Sequence, residues 1–202
     1  FQVRVHSPFA GQPEALDHIV GSFSRHAPMA SRLLVKSHPL DNGLEHWGAT
    51  IRRLAQAHGV ADRVHFLDGG GLAELWPLLR GLVTINSSAG LEAVLAGVPV
   101  KTLGPAIYDV QGLTHQGPLD DFWTAPPRPD ASLARDFVRA LAGTVQVRGT
   151  LYSRRGLDAA VSNMARRILA DDFLVPEAPM RPAGAILAPP EVASLVGWPG
   201  AC

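Results

Sequence analysis

The sequence has almost no cysteine: of 202 residues only Cys202, the last, is one. That excludes a disulfide framework within the chain and cysteine-built zinc sites, and it fits a reducing compartment. Charge is scarce as well. Charged residues make up 18%, and 18 Lys plus Arg balance 18 Asp plus Glu to a formal net charge of zero. A nucleic-acid binder that works through a broad basic face needs clustered excess cations, so no nucleic-acid partner is expected. Long apolar runs are missing too. The nearest, Gly81 to Val100, is interrupted by Asn86, Ser87, Ser88 and Glu92, so no transmembrane segment is expected. Phe1 to His6 holds no apolar stretch of the signal-peptide kind. The chain opens without Met and in mid-pattern, which suggests a piece of a longer protein.

What is present is enough for a core. Hydrophobic residues reach 47%, and 20 glycines with 17 prolines make the chain turn-rich without any repeat. The readable segments alternate. Glu14 to Phe23 has Leu16, Ile19, Val20 and Phe23 at helical spacing, and Leu33 to Val35 is a short buried-strand run. Leu44 to His58 reads as an amphipathic helix, with Gly59 as its stop. Val64 to Leu67 is a strand, Leu72 to Arg80 a short helix that Pro77 must kink, and Leu82 to Ile85 a third strand. Leu91 to Ala96 is a helix and Val98 to Leu103 a fourth strand. This rhythm predicts an α/β fold, a parallel sheet with helices on both faces. Ligands in such sheets sit beyond the strands' carboxyl ends.

Gly104 to Asp130 reads as a long irregular loop whose Tyr108, Phe122 and Trp123 argue for order. Two helices follow, Ser132 to Leu141 with Ser132 as its cap, and Leu157 to Leu169 with Arg166 and Arg167 near its end. The expected division is a lobe over 1–170 and a poorly ordered tail over 171–202. From Val175 onward the tail has six prolines and three charges.

Three segments carry candidate chemistry. The first is Asn86 to Val100: a strand end, a small polar turn, then a helix. Its backbone N–H groups and the Ser87 and Ser88 hydroxyls can converge on one anion, and Glu92 can accept hydrogen bonds from a ribose. The plain alternative is a serine-capped turn. The second is His38-Pro39 after the first strand. Pro39 restrains His38, whose imidazole can meet a phosphate or leaving-group oxygen. The alternative is an ordinary loop histidine. The third is the polar–aromatic stretch Leu103 to Trp123, which can close over a base or sugar or be a surface loop. Weaker features are the scattered histidines, Asp68-Gly-Gly-Gly71 without a phosphate-loop ending, the Asp120-Asp121 pair and Arg154-Arg155.

His38-Pro39, the Asn86-Ser87-Ser88 run through Val100, and the stretch from Ala106-Ile-Tyr-Asp109 to Asp121-Phe-Trp123 together resemble the capsule polysaccharide biosynthesis family. The resemblance covers roughly Phe1 to Tyr152. It implies the Rossmann-like C-terminal lobe of a GT-B glycosyltransferase, a β-Kdo transferase that uses CMP-Kdo or another nucleotide sugar and no metal or other cofactor. His38 would be catalytic. His38, Pro39, Asn86, Ser87, Ser88, Gly90 and Glu92 would hold the nucleotide, and Tyr108, Gly112, Leu113 and Thr114 would lie over the donor. The implied partners are the nucleotide sugar, a lipid-linked saccharide acceptor and other capsule assembly proteins. The implied location is the cytoplasm or the periphery of the inner membrane. The family's acceptor lobe and an acidic motif precede this region, so the catalytic carboxylate is expected before Phe1, and this chain alone is expected to bind donor rather than transfer sugar. Two other readings stay open: a GT-B-type nucleotide-sugar epimerase, and a non-catalytic module of capsule export or assembly.

Overall fold

The computed structural model describes residues 2–37, 44–144, 146–147, 149 and 153–169. The chain divides into two compact units, 1–130 and 131–202.

The first unit opens with a short helix α1 (Gln2–His6) and then α2 (Gln12–His26), whose Pro13 lies in the first turn, where a missing N–H costs nothing. Two βαβ units follow. In the first, β1 (Leu33–Lys36) leads through α3 (Trp47–Ala57) to β2 (Val64–Leu67), and the strands pair in parallel from Leu33–Val64 to Lys36–Leu67. In the second, β3 (Leu82–Thr84) leads through α4 (Ala89–Leu95) to β4 (Val100–Thr102), again parallel. Mixed α/β with parallel pairing is thus the architecture. Among the described residues the expected single sheet appears as two parallel pairs.

The core of the first βαβ unit joins Val20, Phe23 and Ala27 with Ile51 and Ala55 of α3, plus Val60 and Val64. These recur on one face of each helix, so burial of the stripes fixes α2 and α3 against the β1–β2 pair. Gly59 ends α3 at φ +69°, a left-handed conformation open to glycine. Around β3 and β4 the buried apolar residues include Ala93, Val94, Val98 and Val100. Gly97, at φ +75°, makes the reversal from α4 into β4.

Several boundaries differ from the sequence reading, three of them with consequences for the fold. Leu72–Arg80 forms only a 3₁₀ turn, Trp76–Leu78. Pro77 has no N–H for an α-helical ladder, and a tight turn with proline near its start is what remains. Helix α4 begins at Ala89 rather than Leu91. The loop after β4 contains a one-turn helix, α5 (Leu119–Phe122), packed on α2.

The second unit consists of α6 (Ala131–Thr144) and α7 (Arg154–Leu169). Helix α6 starts one residue before Ser132, so this serine lies inside the first turn instead of capping it. Arg167 donates to the carbonyls of Thr144 (2.5 Å) and Gly143 (3.2 Å), tying the end of α7 to the end of α6. The expected tail, 171–202, lies outside the described residues.

Candidate functional site

The turn after β3 is the best-defined polar feature at a strand carboxyl end. Much of its backbone is satisfied from within. The Ser87 N–H donates to Thr84 Oγ1 (3.3 Å), and the Ala89 N–H donates to Ser87 Oγ (3.3 Å). The Gly90 and Leu91 N–H groups donate to the carbonyls of Ser87 and Ser88, both at 3.0 Å. The sequence reading offered such N–H groups to an anion. Those of Ser87, Ala89, Gly90 and Leu91 are instead committed within the turn, to the hydroxyls of Thr84 and Ser87 and the carbonyls of Ser87 and Ser88.

What remains is carried by side chains. Ser87, Ser88 and Glu92 are exposed and Asn86 is half-buried. Among the described residues, the Asn86 amide, the Ser88 hydroxyl and the Glu92 carboxylate take no hydrogen-bond partner. Ser87 Oγ uses a lone pair on Ala89 and keeps its proton to donate. The turn therefore presents two hydroxyl donors, one amide and one carboxylate, a set able to bind an oxyanion and a diol side by side.

The turn is held from beneath by Tyr108. This ring is 2% exposed, and its hydroxyl donates to the Ser87 carbonyl. Gly90 faces the ring so closely that a Cβ there would overlap it, so α4 can start here only with glycine. Burial, and then the charge of Asp109, push the Tyr108 phenol up to about 12. The structure thus places Tyr108 and Gly90 in the support of the turn. Nearby, burial lowers the pKa of Lys101 while the Asp109 charge opposes that shift, and its ammonium donates to the His115 carbonyl (3.4 Å).

The rest of the loop after β4 runs elsewhere. The His115 N–H donates to the carbonyl of Val100, the first residue of β4, so the chain has turned back toward the amino end of that strand. Leu113 and Thr114 are buried, while Gly112 is exposed at φ +88°. Thr114 Oγ1 donates to Asp109 Oδ1 (2.6 Å), and Gln116 Nε2 donates to Thr114 Oγ1 (2.7 Å), which closes a small polar network. The loop ends against α2. Trp123 Nε1 donates to Ser22 Oγ (2.7 Å), Ser22 donates to Asp120 Oδ1 (2.5 Å), and His26 Nε2 lies 3.3 Å from Asp120 Oδ2. The Ser22 bond, assisted by the nearby His26, Arg25 and His18, lowers the Asp120 pKa. Asp120 acts here as a structural acceptor.

His38 and Pro39 lie outside the described residues. The structure reaches Ser37, whose hydroxyl donates to Asp68 Oδ1 (2.8 Å) and accepts the Gly69 N–H (3.2 Å). The carboxyl ends of β1 and β2 are joined there.

One buried cation escaped the sequence reading. Arg63 is 4% exposed. Its guanidinium donates to the carbonyls of Pro28 (2.8 Å), Ser31 (3.2 Å) and Ala27 (3.4 Å) and lies 4.6 Å from the centre of the Phe23 ring. An Ala-Asp-Arg turn between apolar residues looks like surface, and only its place between valines hinted at burial.

Comparison with known proteins bears on this geometry. A family profile described as capsule polysaccharide biosynthesis protein matches residues 1–152, which spans both βαβ units and the Asn86 turn. The chain belongs to the capsule polysaccharide biosynthesis family. Within the family, it is 36% identical over 151 residues to the capsule polysaccharide export protein KpsS of Escherichia coli, covering 75% of this chain and 39% of that protein. It is 34% identical over 154 residues to the capsule polysaccharide modification protein LipB of Neisseria meningitidis serogroup A, covering 76% of this chain and 37% of that one. Protein FixF of Sinorhizobium fredii is 32% identical over 116 residues, 57% of this chain and 26% of that protein. The chain thus spans about two-fifths of the length of the capsule relatives it matches. No solved structure matches it. Among the described residues, no helix is long and apolar enough to cross a membrane.

Proposed function

We propose that this chain supplies the Rossmann-like, nucleotide-sugar-binding lobe of a GT-B glycosyltransferase of capsule polysaccharide biosynthesis. In this reading the donor is CMP-Kdo and the acceptor is a lipid-linked saccharide. One observation carries it. Inside the family match, at the carboxyl end of a parallel strand, a polar turn keeps its Asn86, Ser88 and Glu92 side chains uncommitted. Side chains at that end of a parallel strand are where α/β proteins receive ligands.

The chemistry follows from the donor set. The Ser87 and Ser88 protons and the Asn86 amide hold the non-bridging oxygens of the cytidylate phosphate. Glu92 accepts from the two ribose hydroxyls. As the sugar leaves, negative charge grows on the phosphate, and the His38 imidazole donates to it. Donors fixed in place before the reaction stabilise that charge without reorganising, and removing one costs about 3 kcal/mol of transition-state stabilisation. No residue in this reading requires a metal, since hydroxyls and imidazole meet the phosphate. Tyr108 and Gly90 take the supporting role that their burial indicates.

In the full-length protein, His38→Ala abolishes transfer from CMP-Kdo while circular dichroism and the unfolding midpoint stay at wild-type values. Undiminished turnover would overturn the assignment of His38. KpsS, a capsule polysaccharide export protein, favours by its likeness a second reading in which the chain serves capsule assembly without turnover. Calorimetry with CMP separates the two, because a folded chain that takes up no CMP supports the assembly role.

A further inference from the structure

The amino ends of β3 and β4, opposite the Asn86 turn, border a cavity of about 510 Å³. That is the size of a pocket for a small molecule. Its walls come from the 3₁₀ turn with Trp76 and Pro77, from Arg80, from Pro99, and from Pro126 and Arg128 on the segment after α5. Two arginines and no carboxylate residue line it, in a chain whose formal charges sum to zero. Arg80 and Arg128 are exposed, and neither has an ion-pair or hydrogen-bond partner among the described residues. A second, smaller cavity of about 200 Å³ shares Arg128 and adds Gln111 and Gln116.

We propose that this pair of hollows is a second ligand site, separate from the nucleotide turn, and that it takes an anionic saccharide, a pyranose bearing a carboxylate or a phosphate. Each wall has a part in this. A guanidinium matches the two oxygens of a carboxylate or phosphate with parallel N–H donors, and two of them with no competing acid leave a net positive field. The indole of Trp76 and the flat rings of the prolines offer apolar faces, on which the C–H face of a pyranose packs. The Gln111 amide offers donors and an acceptor to sugar hydroxyls, and Gln116, whose NH2 is held by Thr114 and Asp109, offers its amide oxygen as an acceptor. Because the two hollows meet at Arg128, consecutive sugar units of one chain fit them, the anion between.

The test is calorimetry of the full chain with four probes: hyaluronan tetrasaccharide, glucose 1-phosphate, neutral chitotetraose and CMP. One of the two anionic sugars binds and chitotetraose does not, and the tighter of the two identifies the anion. Arg80→Gln and Arg128→Gln each weaken that binding about tenfold. The double variant loses it while its circular dichroism and its CMP response stay unchanged. Trp76→Phe removes the change in tryptophan fluorescence that accompanies binding. Equal binding of chitotetraose, no binding of either anionic sugar, undiminished affinity in the double variant, or displacement of the sugar by CMP would each overturn the site. The CMP arm reads the other end of the strands, so failure of the nucleotide reading registers separately.

Discussion

The two βαβ units share a plan and differ at their carboxyl ends. Where β1 and β2 finish, Ser37 and Asp68 bond to one another, and the Gly69 N–H joins them. Where β3 finishes, the backbone is satisfied from within the turn and by Tyr108 from below, while Asn86, Ser88 and Glu92 remain uncommitted. The first arrangement spends its polar groups on the protein. The second spends backbone to fix a turn and leaves side chains over for a ligand. Similar polar residues at equivalent places therefore carry different meanings, and only the hydrogen-bond accounting tells them apart.

The largest expected effect breaks the first unit without touching the second. Arg63→Met removes a buried guanidinium that serves three carbonyls; those of Pro28 and Ser31 keep a second donor, and that of Ala27 is left without one. The cost is about 3 kcal/mol, read as a lower urea midpoint, with CMP affinity of the folded protein unchanged. Next comes Gly90→Ala, which drives a methyl group into the Tyr108 ring and costs about 2 kcal/mol of stability. Unlike Arg63→Met, it also weakens CMP binding, because the turn must move.

Tyr108→Phe is milder. It removes one of the two donors to the Ser87 carbonyl, the Gly90 N–H remaining, and costs about 1 kcal/mol. It also has a pH signature. The folded-state phenol is raised to about 12, by burial first and then by the Asp109 charge, so the neutral form is favoured in the fold. The stabilisation is fully present below the ordinary tyrosine pKa near 10 and is lost as pH rises toward about 12. The phenylalanine variant lacks that alkaline loss, which unfolding curves across this range reveal. The smallest effect on stability is Ser88→Ala, within about 0.5 kcal/mol because the hydroxyl is exposed and unpartnered. If the side chain is left over for a ligand, the same variant weakens CMP binding about tenfold. A large stability loss with unchanged CMP affinity would place Ser88 with the structural residues.

The sequence made the alternation of strands and helices readable, because β1, β2, α2 and α3 follow simple apolar periods. It also marked the Asn86 turn, since a strand run followed by small polar residues and an apolar helix has few other solutions. It misjudged what depends on distant contacts. The burial of Tyr108 is decided by its meeting with Gly90, 18 positions earlier, and that of Arg63 by carbonyls of the α2–β1 connection. Pro77 reduced an apparent helix to one 3₁₀ turn. The Arg80–Arg128 cavity had no local signal, because its walls come from three separate segments.

The most direct measurement is a calorimetric titration of the chain with CMP, wild type beside the Ser87→Ala/Ser88→Ala double variant. The account predicts saturable one-to-one binding that falls at least about tenfold in the variant while the unfolding midpoint hardly moves. Identical affinity in the two proteins, or no uptake of CMP by the folded wild type, would contradict it.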